Sequence, residues 1–285
     1  MIPGRPGRRQ QLRREVRDLV SCAIGGGPML SKVSSVWYVD TPDPPAVLRA
    51  DPDPDPDAAY ALARQLHPDL DVEAAASVTL GDSGGPDADE VYIGSYPGLT
   101  LLCSSYAARV QPTAIPELLV RPLAEEHTYL VSFDLEYGWG AFAHWERGEL
   151  RRAFSSTRLN ILQDHGLPHI WERPHWAGEH PIAWRPGELP DPLVLPFDPP
   201  RFADTANREW LGFRYFPAAT ADRAIAADAR PVDPEDIRVC VFRLRPHGDR
   251  VDDPQPPQPQ NRVAHERKGL LSWLRGHEAA VGADQ

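Results

Sequence analysis

Residues 128–155 read TYLVSFDLEYGWGAFAHWERGELRRAFS, and along them apolar and polar side chains alternate. Tyr129, Val131, Phe133 and Leu135 share one face of an extended chain, and Trp139, Ala141, Ala143 and Trp145 share a face of the next segment. Successive side chains of a strand point to opposite sides of its sheet, so a period of two is the mark of a half-buried strand. Gly138 and the pair Arg147-Gly148 interrupt the alternation with residues suited to a tight reversal. The segment is predicted to be a three-stranded antiparallel meander, its third strand running from Leu150 onward.

Other strands follow from the same logic. Val33 to Asp40 (VSSVWYVD) is β-branched, aromatic and short, and a Thr-Pro-Asp-Pro-Pro turn closes it, so it is expected inside the sheet. Glu90 to Gly94 and Leu99 to Ser104 flank the turn Tyr96-Pro97-Gly98, and Ile237 to Leu244 (IRVCVFRL) alternates as a closing strand. Helices interrupt this pattern. Ala59, Leu62, Ala63 and Leu66 recur at helical spacing, with Asp57 expected as the cap and Pro68 as the stop. Phe202, Ala206, Trp210 and Phe213 mark a second amphipathic helix, and a brief one is expected near Pro116. The fold class is α+β: a mixed, largely antiparallel sheet with helices packed on it, plus flexible N- and C-terminal extensions.

Residues 1–28 carry six arginines, then Gly25-Gly26-Gly27-Pro28, with no apolar face wide enough to dock. They read as a disordered arm or as the product of a misassigned start codon, with Met29 the true first residue. Residues 29–246 form a single α+β domain. A Pro/Gln linker at 247–262, containing DDPQPPQPQ, precedes a short amphipathic helix and tail at 263–285. Leu270, Leu271, Trp273 and Leu274 cluster there beside basic residues and are a candidate contact for a protein partner.

With 285 residues and a hydrophobic fraction of 41%, the chain can bury a substantial core. No apolar run is long enough to span a membrane and no secretory core follows the N-terminus, so the expected location is cytoplasmic. The net charge of −11 argues against a general nucleic-acid footprint. Only Lys32 and Lys268 among the 30 basic residues are lysines, a bias expected of a GC-rich genome. Cys22, Cys103 and Cys240 lack paired spacing and are expected to be reduced bystanders.

Three motifs carry chemistry-bearing residues. Gly81-Asp82-Ser83-Gly84-Gly85-Pro86 reproduces the nucleophile signature of trypsin-like serine proteases over six residues. Only His67 precedes it, without the flanking residues that chemistry requires, so Gly, Asp and Ser are expected simply to make a loop. The aspartates Asp40, Asp43 and Asp57 follow the first strand and are the candidates for a divalent metal, against which carboxylates in a proline-spaced extended segment splay apart and capping and dipole effects alone explain an aspartate at a helix start. No cofactor is predicted. The densest set is HGLPHIWERPHWAGEH, residues 165–180, whose candidate ligand-binding residues are Glu172, His175, Trp176, Glu179 and His180. Its histidine spacings match no standard metal signature, and its prolines keep it off one helical face.

The stretch Pro174-His175-Trp176-Ala177-Gly178-Glu179-His180-Pro181 resembles a segment of an uncharacterised actinobacterial family of small soluble proteins. Leu195-Pro196-Phe197-Asp198-Pro199, Leu211-Gly212-Phe213, the opening VWYVD and Gly140 to Gly148 are similar to it as well. The resemblance runs from Met29 to Phe216 and implies a domain starting near Met29, with no activity or cofactor attached. Nothing in the chain supplies a complete nucleophile, base and orienter. The reading is a protein of unknown function, foremost a non-enzymatic binding or scaffold protein. The alternative is a small-molecule or metal-dependent enzyme using residues 165–180.

Overall fold

Nine strands join into one sheet in the computed structural model, which describes residues 32–50, 52–81, 85–123, 125–184, 187, 191–216 and 232–247. They are β1 (Lys32–Val39), β2 (Leu70–Thr79), β3 (Glu90–Tyr96), β4 (Leu99–Cys103), β5 (His127–Asp134), β6 (Trp139–Glu146), β7 (Glu149–Ser156), β8 (Ile161–His165) and β9 (Arg238–Pro246). Their order across the sheet is β2-β9-β3-β4-β1-β5-β6-β7-β8. The predicted meander is β5-β6-β7, reversing at Gly138 and at Arg147-Gly148 as expected.

The α+β class holds, with the sheet dominant. The sheet is antiparallel at every strand pairing rather than mixed, and among the described residues one parallel bridge, Phe213 to Val232, lies outside the strands. Parallel neighbours need long crossovers, whereas several of these strands are joined by turns of a few residues. The closing strand is not an edge, because β9 slots between β2 and β3.

Helices cover both faces. Helix α1 (Pro44–Arg49) and helix α5 (Pro199–Leu211) lie on one side, where Leu48, Phe202, Ala206 and Leu211 meet Trp37, Val131 and Phe133. Helix α2 (Pro56–Leu66) and the short α3 (Glu117–Val120) lie on the other, with Leu62 and Leu119 against Val36, Tyr38 and Leu130. In α2 the anticipated apolar face is buried, but the cap is Asp55 rather than Asp57: its Oδ1 accepts from the amides of Asp57 (3.0 Å) and Ala58 (3.1 Å). Pro56 is fit for the first helical position and has no amide to cap, which moves the start upstream. Helix α5 begins earlier than its first aromatic position and ends at Gly212, whose φ of 80° is the left-handed turn that favours glycine.

Strands β2 and β8 escape the sequence pattern. Most of β2 is alanine or polar and exposed, and β8 (ILQDH) is polar and interrupted by a register shift at Ser155/Ser156, so neither shows a regular apolar period. They are the two edges of the sheet. The N-terminal arm, Ser83 and the cluster around Trp273 lie outside the described residues.

Candidate functional site

The densest motif folds into two separate arrangements. Residues Ile170–Glu172 form a 3₁₀ turn and Arg173–Trp176 a short helix, α4. Within it Glu172 is fully buried, and all its acceptor capacity is used. Its Oε1 accepts from Arg152 Nε (2.9 Å) and from the amide of His169 (2.9 Å), and its Oε2 accepts from Arg152 Nη2 (2.8 Å) and Trp176 Nε1 (3.5 Å). A carboxylate held by a bidentate guanidinium is spoken for.

The neighbouring candidates split apart. His175 is buried, with Nε2 3.2 Å from Thr205 Oγ1 and its ring 4.4 Å from that of His180 and 4.6 Å from that of Phe202. Trp176 packs edge-on against Phe154 and Phe197, and Glu179 is exposed. The fold therefore joins Glu172 to Trp176 and His175 to His180, and leaves Glu179 apart. Asp43 caps α1 through the amide of Ala46 (3.0 Å), Asp57 sits in the first turn of α2, and Asp40 follows β1. Among the described residues no three His, Cys, Asp or Glu side chains stand close enough to hold a metal ion.

Arg152 is the residue that sequence reasoning missed. It lies on β7, where it shares a face with Phe154, and it is fully buried, its guanidinium within 6 Å of the rings of both Phe142 (5.9 Å) and Phe154 (5.6 Å). An arginine at an inward-facing parity position was the available signal. Burial works to lower its pKa, and the hydrogen bonds to Glu172 and Asp164 overcome that and raise it. Besides those carboxylates, its Nη1 donates to the carbonyls of His165 (3.0 Å) and Gly166 (3.4 Å). One guanidinium thus ties β7 to β8, to the turn after β8 and to Glu172.

What this tie holds in place is an exposed apolar rim. Leu167 is 88% exposed and Ile170 is 85% exposed, on the loop that Arg152 and Glu172 secure. Leu159 and Ile161 are exposed at the start of β8, and Leu193 is exposed in the segment that returns to it, where the amide of Leu195 donates to the carbonyl of Arg158 at 2.8 Å. Isolated exposed leucines are ordinary, but here five exposed aliphatic side chains fall on the edge strand β8 or on segments that adjoin its two ends.

Behind the loop lies a half-buried set of rings. Tyr129 stacks on Trp210 (4.5 Å) and on His144 (4.8 Å), His169 stacks on Trp171 (5.9 Å), and Trp171 meets Trp210 edge-on (5.9 Å). His144 Nε2 is 3.2 Å from His127 Nδ1. Burial, and then the neighbouring His127 and His169, pull the pKa of His144 down to about 4, and burial lowers that of His169. His144 Nδ1, His169 Nε2 and Trp171 Nε1 are buried without a protein hydrogen-bond partner. The cluster packs by ring contact, and it fixes the inner side of the loop whose outer side shows Ile170.

These features define a class: a single-sheet α+β domain in which a buried ion pair secures an apolar loop on a free edge. The chain belongs to a family of unknown function, DUF6928, whose family model matches residues 33–242, from β1 into β9. No curated protein and no solved structure matches it. Among the described residues no helix is long and apolar enough to cross a membrane.

Proposed function

We propose that this domain is a non-enzymatic binding module that takes a protein partner along the β8 edge, through Leu159, Ile161, Leu167, Ile170 and Leu193. The observation that carries the reading is the Arg152–Glu172 pair beneath the rim. Burying an ion pair is expensive and adds little net stability, so its use at one position needs a structural return. Here the return is a loop tied at His165, Gly166 and His169, with two aliphatic side chains held in solvent. Preorganised loops of this kind bind more tightly, because less ordering entropy is lost on association. Burying one such side chain on binding contributes about 1.5–3 kcal/mol.

The enzymatic alternative has less support. Glu172 has no free oxygen for proton transfer or ligation, His175 is buried, and Trp176 packs half-buried against the core.

The test is site-specific photo-cross-linking in the organism that makes the protein, with a benzoylphenylalanine in place of Ile170 or of Leu193. Either position is expected to give a discrete protein adduct. The same group at Tyr60 or Tyr137, which are exposed elsewhere, is expected to give none. Absence of adducts at both rim positions, or equal yields at all four, would overturn the reading.

A further inference from the structure

The two ends of β8 are unlike, and each is the complement of the other. At the first end stand Leu159 and Leu193, with the exposed carboxylate of Asp191 accepting from the amide of Leu193 (2.9 Å). At the second stand Leu167 and Ile170, followed by Arg173, which is exposed and has no carboxylate partner among the described residues. Leu159 and Leu167 are equally distant in sequence from Gln163, the middle of the strand.

An antiparallel copy of β8 laid along the edge about Gln163 therefore sets Ile161 opposite His165 and brings the end of one strand that bears Leu159 to the end of the other that bears Leu167. The corner bearing Asp191 meets the corner bearing Arg173. A twofold contact uses each such match twice, which is the self-complementarity that isologous interfaces require. A foreign strand would need neither match. Within β8 the sole formal charge is Asp164, already paired with Arg152, so no repelling row of charge guards the edge. The opposite edge differs: β2 shows alanine, serine and charged residues to solvent and none of the large exposed apolar side chains.

We propose that the partner at this edge is a second copy of the chain, the two β8 strands pairing antiparallel so that one sheet runs through both copies. This rests on the reading of the rim as a binding surface. Sedimentation of the full chain, of 31.7 kDa, tests it. The expected result is a dimer at concentrations on the order of 10–100 μM, the range in which micromolar association is readily seen. Ile161→Lys and Leu167→Asp should each weaken the dimer at least tenfold while leaving the circular-dichroism melting curve in place. Because Leu167 is on an exposed loop, the second variant remains informative if the first disturbs β8. Arg173→Asp and Asp191→Arg should each weaken association, and the two together should restore it.

A chain that stays monomeric, or a dimer indifferent to both Ile161→Lys and Leu167→Asp, would overturn the second-copy assignment. The cross-linking separates the two failures. Adducts at Ile170 with a different protein would leave the binding surface standing and remove the second copy, whereas no adduct and no dimer would remove both.

Discussion

Arg152 shows how one side chain sets the character of a whole edge. It is a cation at 0% exposure, compensated by the carboxylates of Glu172 and Asp164 and by three carbonyls, so loss of a carboxylate partner leaves charge uncompensated in the sheet. Replacing Arg152 by Met should cost about 3–5 kcal/mol, because Glu172 is left ionised and buried. For a domain of this size that is a fall of roughly 10 °C in Tm, readable by thermal denaturation. Arg152→Met combined with Glu172→Met should recover most of the loss, since packed apolar groups replace both charges. If the double variant is no more stable than the single one, the pair does more than neutralise itself. The candidate Glu172 was legible in the sequence as a residue of interest. Its use was not, since the partner that occupies it is on strand β7, 20 positions away.

At the scale of elements, the strands with a clear period were legible and the edges were not. The β5-β6-β7 meander follows from Tyr129 through Trp145 by its alternation and its turn residues, although both faces of those strands are largely buried. Strand β8 is satisfied by pairing on one side only, and its composition of Ile161, Leu162, Gln163, Asp164 and His165 has no single buried face. Helix α5 approaches the meander more closely than its pattern indicates: a Cβ at Gly140 would lie 2.0 Å from the carbonyl oxygen of Pro199. Gly140→Ala must therefore push the start of α5 off β6. The expected cost is roughly 1–3 kcal/mol, typical of overpacking, measured as a shift in the urea midpoint. An unchanged midpoint would show that the helix end gives way freely.

For the whole molecule, the imidazole cluster links stability to pH. His144 titrates near 4 in the folded chain and near 6.5 when unfolded, so between those values the unfolded state binds the proton and the folded state does not. Stability should fall as pH drops from about 6.5 to about 4 and be insensitive to this group outside that window. His169 adds a contribution of the same sign. Asp198 and Asp204, whose pKa values burial raises, act in the opposite sense, so a difference measurement is needed. His144→Phe keeps a ring against Tyr129 and removes the proton site. Between pH 7 and pH 4 its loss of unfolding free energy should be smaller than that of the parent chain by on the order of 1–2 kcal/mol, after allowance for solvent screening. Equal losses in the two proteins would remove His144 as an acid-sensitive group.

The sequence by itself determined the local units: the meander, the opening strand, the amphipathic faces of α2 and α5, and the family to which residues 33–242 belong. Each depends on side-chain period or on a contiguous pattern, and such signals are carried within a few residues. Only the tertiary structure decided that β9 lies between β2 and β3, that β8 ends the sheet, that Glu172 is spent on Arg152, and that five dispersed aliphatic residues form one rim. Those outcomes depend on pairings between distant segments, which close only when the two faces of the sheet bury their apolar sides together, and no local window contains that choice.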